Sequence, residues 1–169
     1  MYMEASGREH WAAVKHILRY LRGTLGYGCK YEKGAELKLM LIGSSDSDFA
    51  GDVEDRKSTS GVGYFLDSSL VTWASQKQKI VALSSCEAEY VAAAGAACQG
   101  IWLSRLVADM LRTKVTTVKL LMDNMSAIAL SKNPVHHDRS KHIDTKYHFL
   151  RECIEDGKVE VDHVGTQSS

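Results

Sequence analysis

The sequence has 169 residues, of which 44% are hydrophobic and 25% charged, and its 21 basic side chains balance 21 acidic ones. These values are typical of one globular domain of ordinary size. The zero formal charge excludes a general electrostatic attraction to nucleic acid or to a membrane, so a polyanionic partner must be held by a local basic patch or by bridging cations.

The N-terminal region predicts one helix. Apolar residues from Trp11 to Leu21 recur at helical spacing within 9–22, and Gly23 ends the pattern. The residues that follow, 24–33, mix Gly, Tyr and Cys and predict a short strand and turn. This N-terminal piece need not belong to the same domain as the rest of the chain.

The apolar segments between residues 37 and 164 predict five strands. The first three are short, rich in apolar and aromatic residues and separated by polar turns, which indicates an antiparallel meander. The fourth is an unbroken apolar run, as in a strand covered on both faces, and the fifth alternates polar with apolar residues. In chain order, the predicted strands are 37–44, 61–66, 70–75, 118–122 and 159–164.

A long helix is predicted between the meander and the fourth strand. Ser84 and Glu87 have the spacing of a capping box, so we expect the helix to begin there. The alanine-rich run 88–97 has high helix propensity, and Gly100 predicts a break or kink before 101–111. Two shorter helices are predicted at 125–131 and 143–154, the second after a basic, polar loop at 136–141.

The cysteines and histidines carry little functional signal. The four cysteines form no CxxC pair, and we find neither a signal peptide nor an apolar run long enough to cross a membrane. We therefore expect free thiols and an intracellular protein. Four histidines lie between positions 136 and 148, but no two of them are four residues apart, as a helical zinc site requires.

Four aspartates lie at the end of the first strand and in the polar loop that follows it: Asp46, Asp48, Asp52 and Asp55. One interpretation is that they are turn residues that hydrogen-bond their own backbone. A calcium loop is a second interpretation, but Ala50 and Lys57 occupy its fifth and twelfth positions, which require ligands. A catalytic carboxylate is the third, and it depends on partners elsewhere in the sequence.

Candidate partners for Asp46 are Glu89, in the first turn of the long helix, and Asp123, at the end of the fourth strand. Taken singly, Glu89 is also explained as an acid favoured by the helix dipole, and Asp123 as a helix cap, although Asn124 can serve instead. Strand ends and a helix start can converge on one spot. Carboxylates that converge without basic partners repel one another, and two magnesium ions would neutralise them.

Several motifs, spread along nearly the whole chain, resemble those of one known protein family. They are 45–52 (SDSDFAGD), 55–61 (DRKSTSG), 78–85 (QKIVALSS), 87–90 (EAEY), and 140–144 (SKHID) with 147–149 (YHF). Together they closely resemble the ribonuclease H region of copia-type LTR-retrotransposon Pol polyproteins. The opening, with 7–11 and 19–24, is similar to the segment that joins that family's reverse transcriptase to its ribonuclease H. The expected domains are therefore a connection segment, 1–36, and a ribonuclease H-like domain, 37–169.

The resemblance implies an α/β fold with a mixed five-stranded sheet, the meander followed by parallel strands, flanked by helices. It implies metal-dependent endonucleolytic cleavage of the RNA strand of RNA/DNA hybrids during reverse transcription. Asp46, Glu89 and Asp123 would be the catalytic acids and would bind two Mg²⁺ ions, for which Mn²⁺ can substitute. The nearest candidates for phosphate and sugar contacts, otherwise an ordinary solvated loop, are Arg56, Lys57, Ser58, Thr59, Gln76 and Lys77.

The expected partners are an RNA/DNA hybrid and the reverse transcriptase region of the same polyprotein, with no membrane, in a retrotransposon particle of the cytoplasm or in the nucleus. The family's fourth acid lies on a C-terminal helix that this sequence does not contain, and Asp162 is a poor substitute for it. We therefore expect impaired activity. The alternative is a catalytically impaired remnant that only binds nucleic acid or packs against a polymerase.

Overall fold

The computed structural model describes residues 6–31, 38–114, 116–132 and 144–165. It divides into two units, Met1–Lys30 and Tyr31–Ser169, which we describe separately. The first unit contains helix α1, Arg8–Gly23, in agreement with the predicted helix. Its apolar residues are exposed, Trp11 by 60% for example. Residues 24–31 form a turn and irregular chain instead of the predicted strand, and 32–33 lie outside the described residues.

The second unit is built on a five-stranded mixed sheet in the order β3-β2-β1-β4-β5. The first three strands pair antiparallel as a meander, and β4 and β5 add in parallel to β1 and to each other. This arrangement confirms the predicted sheet. The strands are β1 (Leu41–Ser47), β2 (Thr59–Leu66), β3 (Ser69–Lys77), β4 (Val118–Met122) and β5 (Val159–His163).

Strand β1 begins four residues later than predicted, and the cause is the carboxylate of Asp67. This carboxylate accepts hydrogen bonds from the backbone N–H groups of Lys38, Leu39 and Met40 at 3.0 to 3.4 Å. Leu39 consequently has a left-handed backbone, with φ of 58°, which is incompatible with a strand. Because the strand is shifted, Asp46 lies within β1, opposite Gly61 of β2.

Three helices complete this unit: α2 (Ser85–Leu111), α3 (Met125–Lys132) and α4 (Asp144–Glu155). The Ser84 hydroxyl caps α2 by accepting a hydrogen bond from the Glu87 N–H at 3.1 Å, as predicted. The Glu87 carboxylate, however, accepts from the N–H of Leu83 at 2.7 Å. Both acceptors satisfy backbone donors at the helix start. The predicted basic loop at 136–141 lies outside the described residues.

Helix α2 packs closely on the sheet and continues through Gly100, so the break that was one of the two predicted alternatives does not occur. A Cβ atom at Gly100 would lie 2.5 Å from the Tyr64 hydroxyl oxygen and 2.8 Å from Cγ1 of Val118. The Tyr64 hydroxyl donates a hydrogen bond of 2.6 Å to the carbonyl oxygen of Ala96. Glycine is therefore required at position 100 by the close approach of helix and sheet.

By length and composition alone, α2 is apolar enough to cross a membrane, which corrects the prediction that the sequence has no such run. It is the single candidate among the described residues, and 56% of its most apolar window is buried within the protein. The apolar surface of α2 is used to form the core, where its alanines and Tyr90 pack with Leu120 of β4 and Val161 of β5.

Candidate active site

Three carboxylates converge at one edge of the sheet. Asp46 lies near the end of β1, Asp123 directly follows β4, and Glu89 lies in the first turns of α2. Strands β1 and β4 are parallel neighbours, so their carboxyl ends meet at the same edge. One oxygen atom from each carboxylate lies within 4.8 Å of the other two. The three acids predicted from the sequence are thus brought together.

Glu89 is the buried member of this acidic cluster, with 5% of its surface exposed. Its Oε1 atom accepts a hydrogen bond from the Ser47 N–H at 3.2 Å, whereas its buried Oε2 has no partner among the described residues. Burial, followed by the negative charges of Asp123 and Asp46, raises the pKa of Glu89 to about 7, against the lowering effect of the Ser47 N–H.

The donor set of the acidic cluster fits a hard divalent cation. Mg²⁺ is bound in proteins through carboxylate oxygens, and the cluster offers three from separate elements. The unpartnered Oε2 of Glu89 is a buried acceptor that lacks a donor, and a cation would supply its missing interaction. Asp46, Glu89 and Asp123 are the residues that could hold it.

Asp123 is available to this cluster because its neighbour caps the next helix. The Asn124 side-chain oxygen accepts a hydrogen bond from the N–H of Ala127 at 2.9 Å. The carbonyl oxygen of Asp123 lies 3.1 Å from Nε2 of His163. Asp162, the poor substitute for a fourth acid, instead pairs with Lys119 at 2.7 Å.

The remaining aspartates of the polar loop accept hydrogen bonds from backbone N–H groups, and those of Asp52 and Asp55 are local turn contacts, as the first interpretation of that loop stated. Asp48 accepts a hydrogen bond from the Thr59 N–H at 2.6 Å. Asp52 accepts from the N–H groups of Glu54 and Asp55 at 2.9 and 3.0 Å. A hydrogen bond from Lys77, together with these N–H groups, holds the pKa of Asp52 well below its usual range.

The six predicted nucleic-acid contacts occupy different environments. Arg56 is exposed in a left-handed turn, with φ of 55°, and Gln76 is exposed on β3. The Lys57 ammonium pairs with Asp55 at 3.0 Å, and that of Lys77 pairs with Asp52 at 2.6 Å. Two others are engaged in the loop itself: Ser58 is fully buried and accepts from the Ala50 N–H at 3.0 Å, and Thr59 donates its N–H to Asp48.

A groove of about 370 Å³ lies between α2 and strands β2 and β3. Gln76 and Lys77 line it, together with Lys79 and Lys146, which the sequence did not single out as contacts. Burial and the nearby positive charge of Lys79 lower the pKa of Lys146. Two cations brought close together favour an anion between them. No local pattern marks Lys146, because α4 brings it there through tertiary packing.

Comparisons with known proteins agree with this fold. No protein-family model matches the chain. The Pol polyprotein from transposon TNT 1-94 of Nicotiana tabacum is 43% identical over 169 residues, which is 99% of this chain. The Pol polyprotein from transposon RE2 of Arabidopsis thaliana is 39% identical over 98% of this chain. The chain spans only 12% and 11% of the lengths of these two relatives.

Among solved structures, the N-terminal RNase H domain of a Mycobacterium tuberculosis protein superposes with a TM-score of 0.56 at 12% identity, covering 78% of this chain and 86% of that one. LC11-RNase H1, solved in complex with an RNA/DNA hybrid, gives a TM-score of 0.51 at 13% identity, covering 75% and 86%. The chain therefore has a ribonuclease H-like fold and is related over nearly its whole length to a segment of retrovirus-related Pol polyproteins.

Proposed function

We propose that this protein is a metal-dependent ribonuclease that hydrolyses the RNA strand of RNA/DNA hybrids during retrotransposon reverse transcription. The observation that carries the proposal is the convergence of Asp46, Glu89 and Asp123, with one oxygen of each within 4.8 Å of the others. The related Pol polyproteins support a place in reverse transcription, and the hybrid in the LC11-RNase H1 structure supports the substrate.

In this proposal Asp46, Glu89 and Asp123 would hold two divalent cations. When bound, such ions supply an activated water nucleophile and stabilise the leaving oxygen of the scissile phosphate. Asp46 is exposed and faces the substrate side, whereas Glu89 holds the buried side. The Ser47 N–H orients the Glu89 carboxylate through its hydrogen bond of 3.2 Å. Burial raises the pKa of Glu89 to about 7, so its carboxyl group is partly protonated near neutral pH, and this proton would compete with a cation for the same oxygens.

The hybrid would lie across this edge of the sheet, with one backbone in the groove beside α2. Lys79 and Lys146 are the groove cations best placed for phosphate contacts, because Lys77 is already paired with Asp52 and Asp55. Gln76 adds an exposed amide at the same groove. The second proposed partner is the reverse transcriptase region of the same polyprotein, in an intracellular retrotransposon particle.

A second candidate function is hybrid binding without hydrolysis. Only three acids form the cluster among the described residues, and a loosely held metal would favour this alternative. The two functions are separated by one assay, because a binder retains the hybrid intact whereas a nuclease shortens its RNA strand.

The test is cleavage of an RNA/DNA hybrid that is end-labelled on its RNA strand, with double-stranded RNA as a second substrate. We expect cleavage of the hybrid alone, in Mg²⁺ or Mn²⁺ and not in chelator, and its loss in Asp46→Asn. Asp48→Asn is the matched control, because Asp48 is also exposed but lies outside the acidic cluster. Equal cleavage by Asp46→Asn and the parent would contradict the assignment.

A further inference from the structure

The side chain of Gln78 joins three elements behind the acidic cluster. Gln78 directly follows β3 and is 6% exposed. Its Nε2 atom lies 3.1 Å from the hydroxyl of Ser47 in β1 and 2.9 Å from that of Ser60 in β2. The same atom lies 2.9 Å from the carbonyl oxygen of Ala88 in α2. One buried amide therefore connects two strands and the start of the long helix.

The orientation of this amide follows from its partners. A backbone carbonyl oxygen only accepts hydrogen bonds, so the Gln78 atom next to Ala88 must be the nitrogen. The Ser47 hydroxyl has the carbonyl oxygens of Asp48 at 3.0 Å and Thr59 at 3.3 Å as acceptors for its own proton, and either choice leaves a lone pair for Gln78. The two N–H bonds of Gln78 are thus shared among three acceptors.

Two of the three connections, those to Ser47 and Ala88, end next to a cluster acid. Ser47 follows Asp46 in the chain, and the Ser47 N–H donates to the Glu89 carboxylate. Ala88 immediately precedes Glu89, so its carbonyl group belongs to the peptide that carries the Glu89 N–H. Gln78 therefore restrains β1 and the first turn of α2 relative to each other, at the positions that determine the distance between Asp46 and Glu89.

We propose that Gln78 is a positioning residue that sets the metal affinity of the acidic cluster by fixing the separation of Asp46 and Glu89. The inference rests on the proposed function. Gln78 is 6% exposed, and its amide nitrogen is engaged by Ser47, Ser60 and Ala88. It acts through Ser47 and the Ala88 carbonyl. Supporting groups of this kind usually determine how tightly a metal is held.

The experiment measures Mn²⁺ and Mg²⁺ binding by calorimetry on the whole chain, well below its melting temperature. Gln78→Met keeps the length of the side chain but removes both N–H donors. We expect its metal dissociation constant to rise on the order of tenfold, at the lower end of the range for groups that support metal ligands. For hybrid cleavage by Gln78→Met, we expect kcat to return toward the parent value at saturating Mn²⁺ and KM for the hybrid to stay unchanged.

Ser104→Ala is the matched control, because it removes a buried hydrogen bond that contributes to stability but not to the acidic cluster. The Ser104 hydroxyl is 3% exposed and donates a hydrogen bond of 2.6 Å to the carbonyl oxygen of Thr116, remote from the acids. We expect a lower melting temperature for this variant and an unchanged metal dissociation constant. Gln78→Met with parent-like metal binding, or Ser104→Ala with equally weakened binding, would overturn the inference.

A second pair of variants decides the question if Gln78→Met does not fold. Ser47→Ala removes the connection from Gln78 to β1 but keeps the N–H that Glu89 accepts, and it is expected to weaken metal binding. Ser60→Ala removes the connection to β2, which carries no cluster acid. This variant is expected to weaken metal binding less than Ser47→Ala does. Equal, parent-like binding in both variants overturns the inference. A parent chain that binds no metal overturns the proposed function as well.

Discussion

The backbone N–H of Ser47 donates a hydrogen bond of 3.2 Å to the carboxylate of Glu89, from the last residue of β1 to the first turns of α2. This N–H favours the ionised carboxylate, but burial and the neighbouring acids outweigh it, and the pKa of Glu89 rises to about 7. Without a cation, the ionised cluster therefore destabilises the fold. A capping or salt-bridged acid would have the opposite effect.

The first prediction is that neutralising a cluster acid stabilises the metal-free protein. In chelator, Asp46→Asn and Glu89→Gln should each raise stability by about 1 kcal/mol, or roughly 2–4 °C in melting temperature, because they remove like-charge repulsion. Both variants should also reduce the rise in melting temperature that Mg²⁺ produces in the parent. Thermal unfolding with and without Mg²⁺ measures both effects.

Glu87→Gln is the control for this prediction. Glu87 is as buried as Glu89 and lies in the same helical turn, but its carboxylate accepts from the Leu83 N–H. A glutamine oxygen can accept the same hydrogen bond, so we expect a Mg²⁺ response like that of the parent. Lower melting temperatures for Asp46→Asn and Glu89→Gln in chelator, with an unchanged Mg²⁺ response, would make these acids structural.

The second prediction concerns pH. The pKa of Glu89 is about 7 in the folded protein, against 4.5 for an exposed glutamate. Between these values the folded state keeps a proton that the unfolded state loses, so the stabilisation from Glu89 is complete below pH 4.5 and is lost as pH rises through 7. The loss is at most about 3 kcal/mol.

Denaturant unfolding in chelator, from pH 4.5 to 8, tests the second prediction through the difference between parent and Glu89→Gln. Taking the difference cancels groups that titrate alike in both proteins. We expect Glu89→Gln to gain stability relative to the parent as pH rises. A difference that does not vary with pH would show that the pKa of Glu89 is the same in the folded and unfolded states, which would contradict this prediction.

The sequence could identify the acidic cluster because each acid carries a local signal. Asp46 lies at a strand followed by a polar loop, Glu89 follows a capping box, and Asp123 ends an apolar strand next to an asparagine that can cap. The groove cation Lys146 has no such signal, because only the packing of α4 brings it near Lys79. The local sequence pattern therefore predicts where helices and strands begin and end, whereas tertiary packing determines which of their surfaces meet.

The same distinction explains the errors in the predicted fold. The late start of β1 depends on the carboxylate of Asp67, which lies 28 residues from Leu39 in the sequence. The low helix propensity of glycine predicts a break or kink at Gly100, but the role of this residue is set by Tyr64 on a distant strand. Both effects arise from residues far apart in the chain, which a reading of local pattern does not include.

The third prediction tests this close packing. Gly100→Ala should destabilise the protein by about 2 kcal/mol, because its Cβ would overpack the contact with Tyr64 and Val118. Gly95→Ala, in the same helix, is the matched control. A Cβ at Gly95 meets no atom within 4 Å, so this variant should be stabilised by up to about 1 kcal/mol through helix propensity. Equal effects of the two substitutions in chemical denaturation would contradict the packing argument.

The fourth prediction concerns the groove beside α2. If Lys79 and Lys146 contact backbone phosphates, Lys79→Gln and Lys146→Gln should weaken hybrid binding and each reduce the slope of log affinity against log salt by about one. Binding is measured by fluorescence anisotropy in an Asp46→Asn background, which prevents cleavage, over a series of salt concentrations. Lys119→Gln is the control, since it removes the same charge from a lysine that is paired with Asp162 outside the groove. If the substitutions act only through the net charge of the protein, all three should lower the slope equally. Phosphate contacts in the groove would lower the slope only in Lys79→Gln and Lys146→Gln.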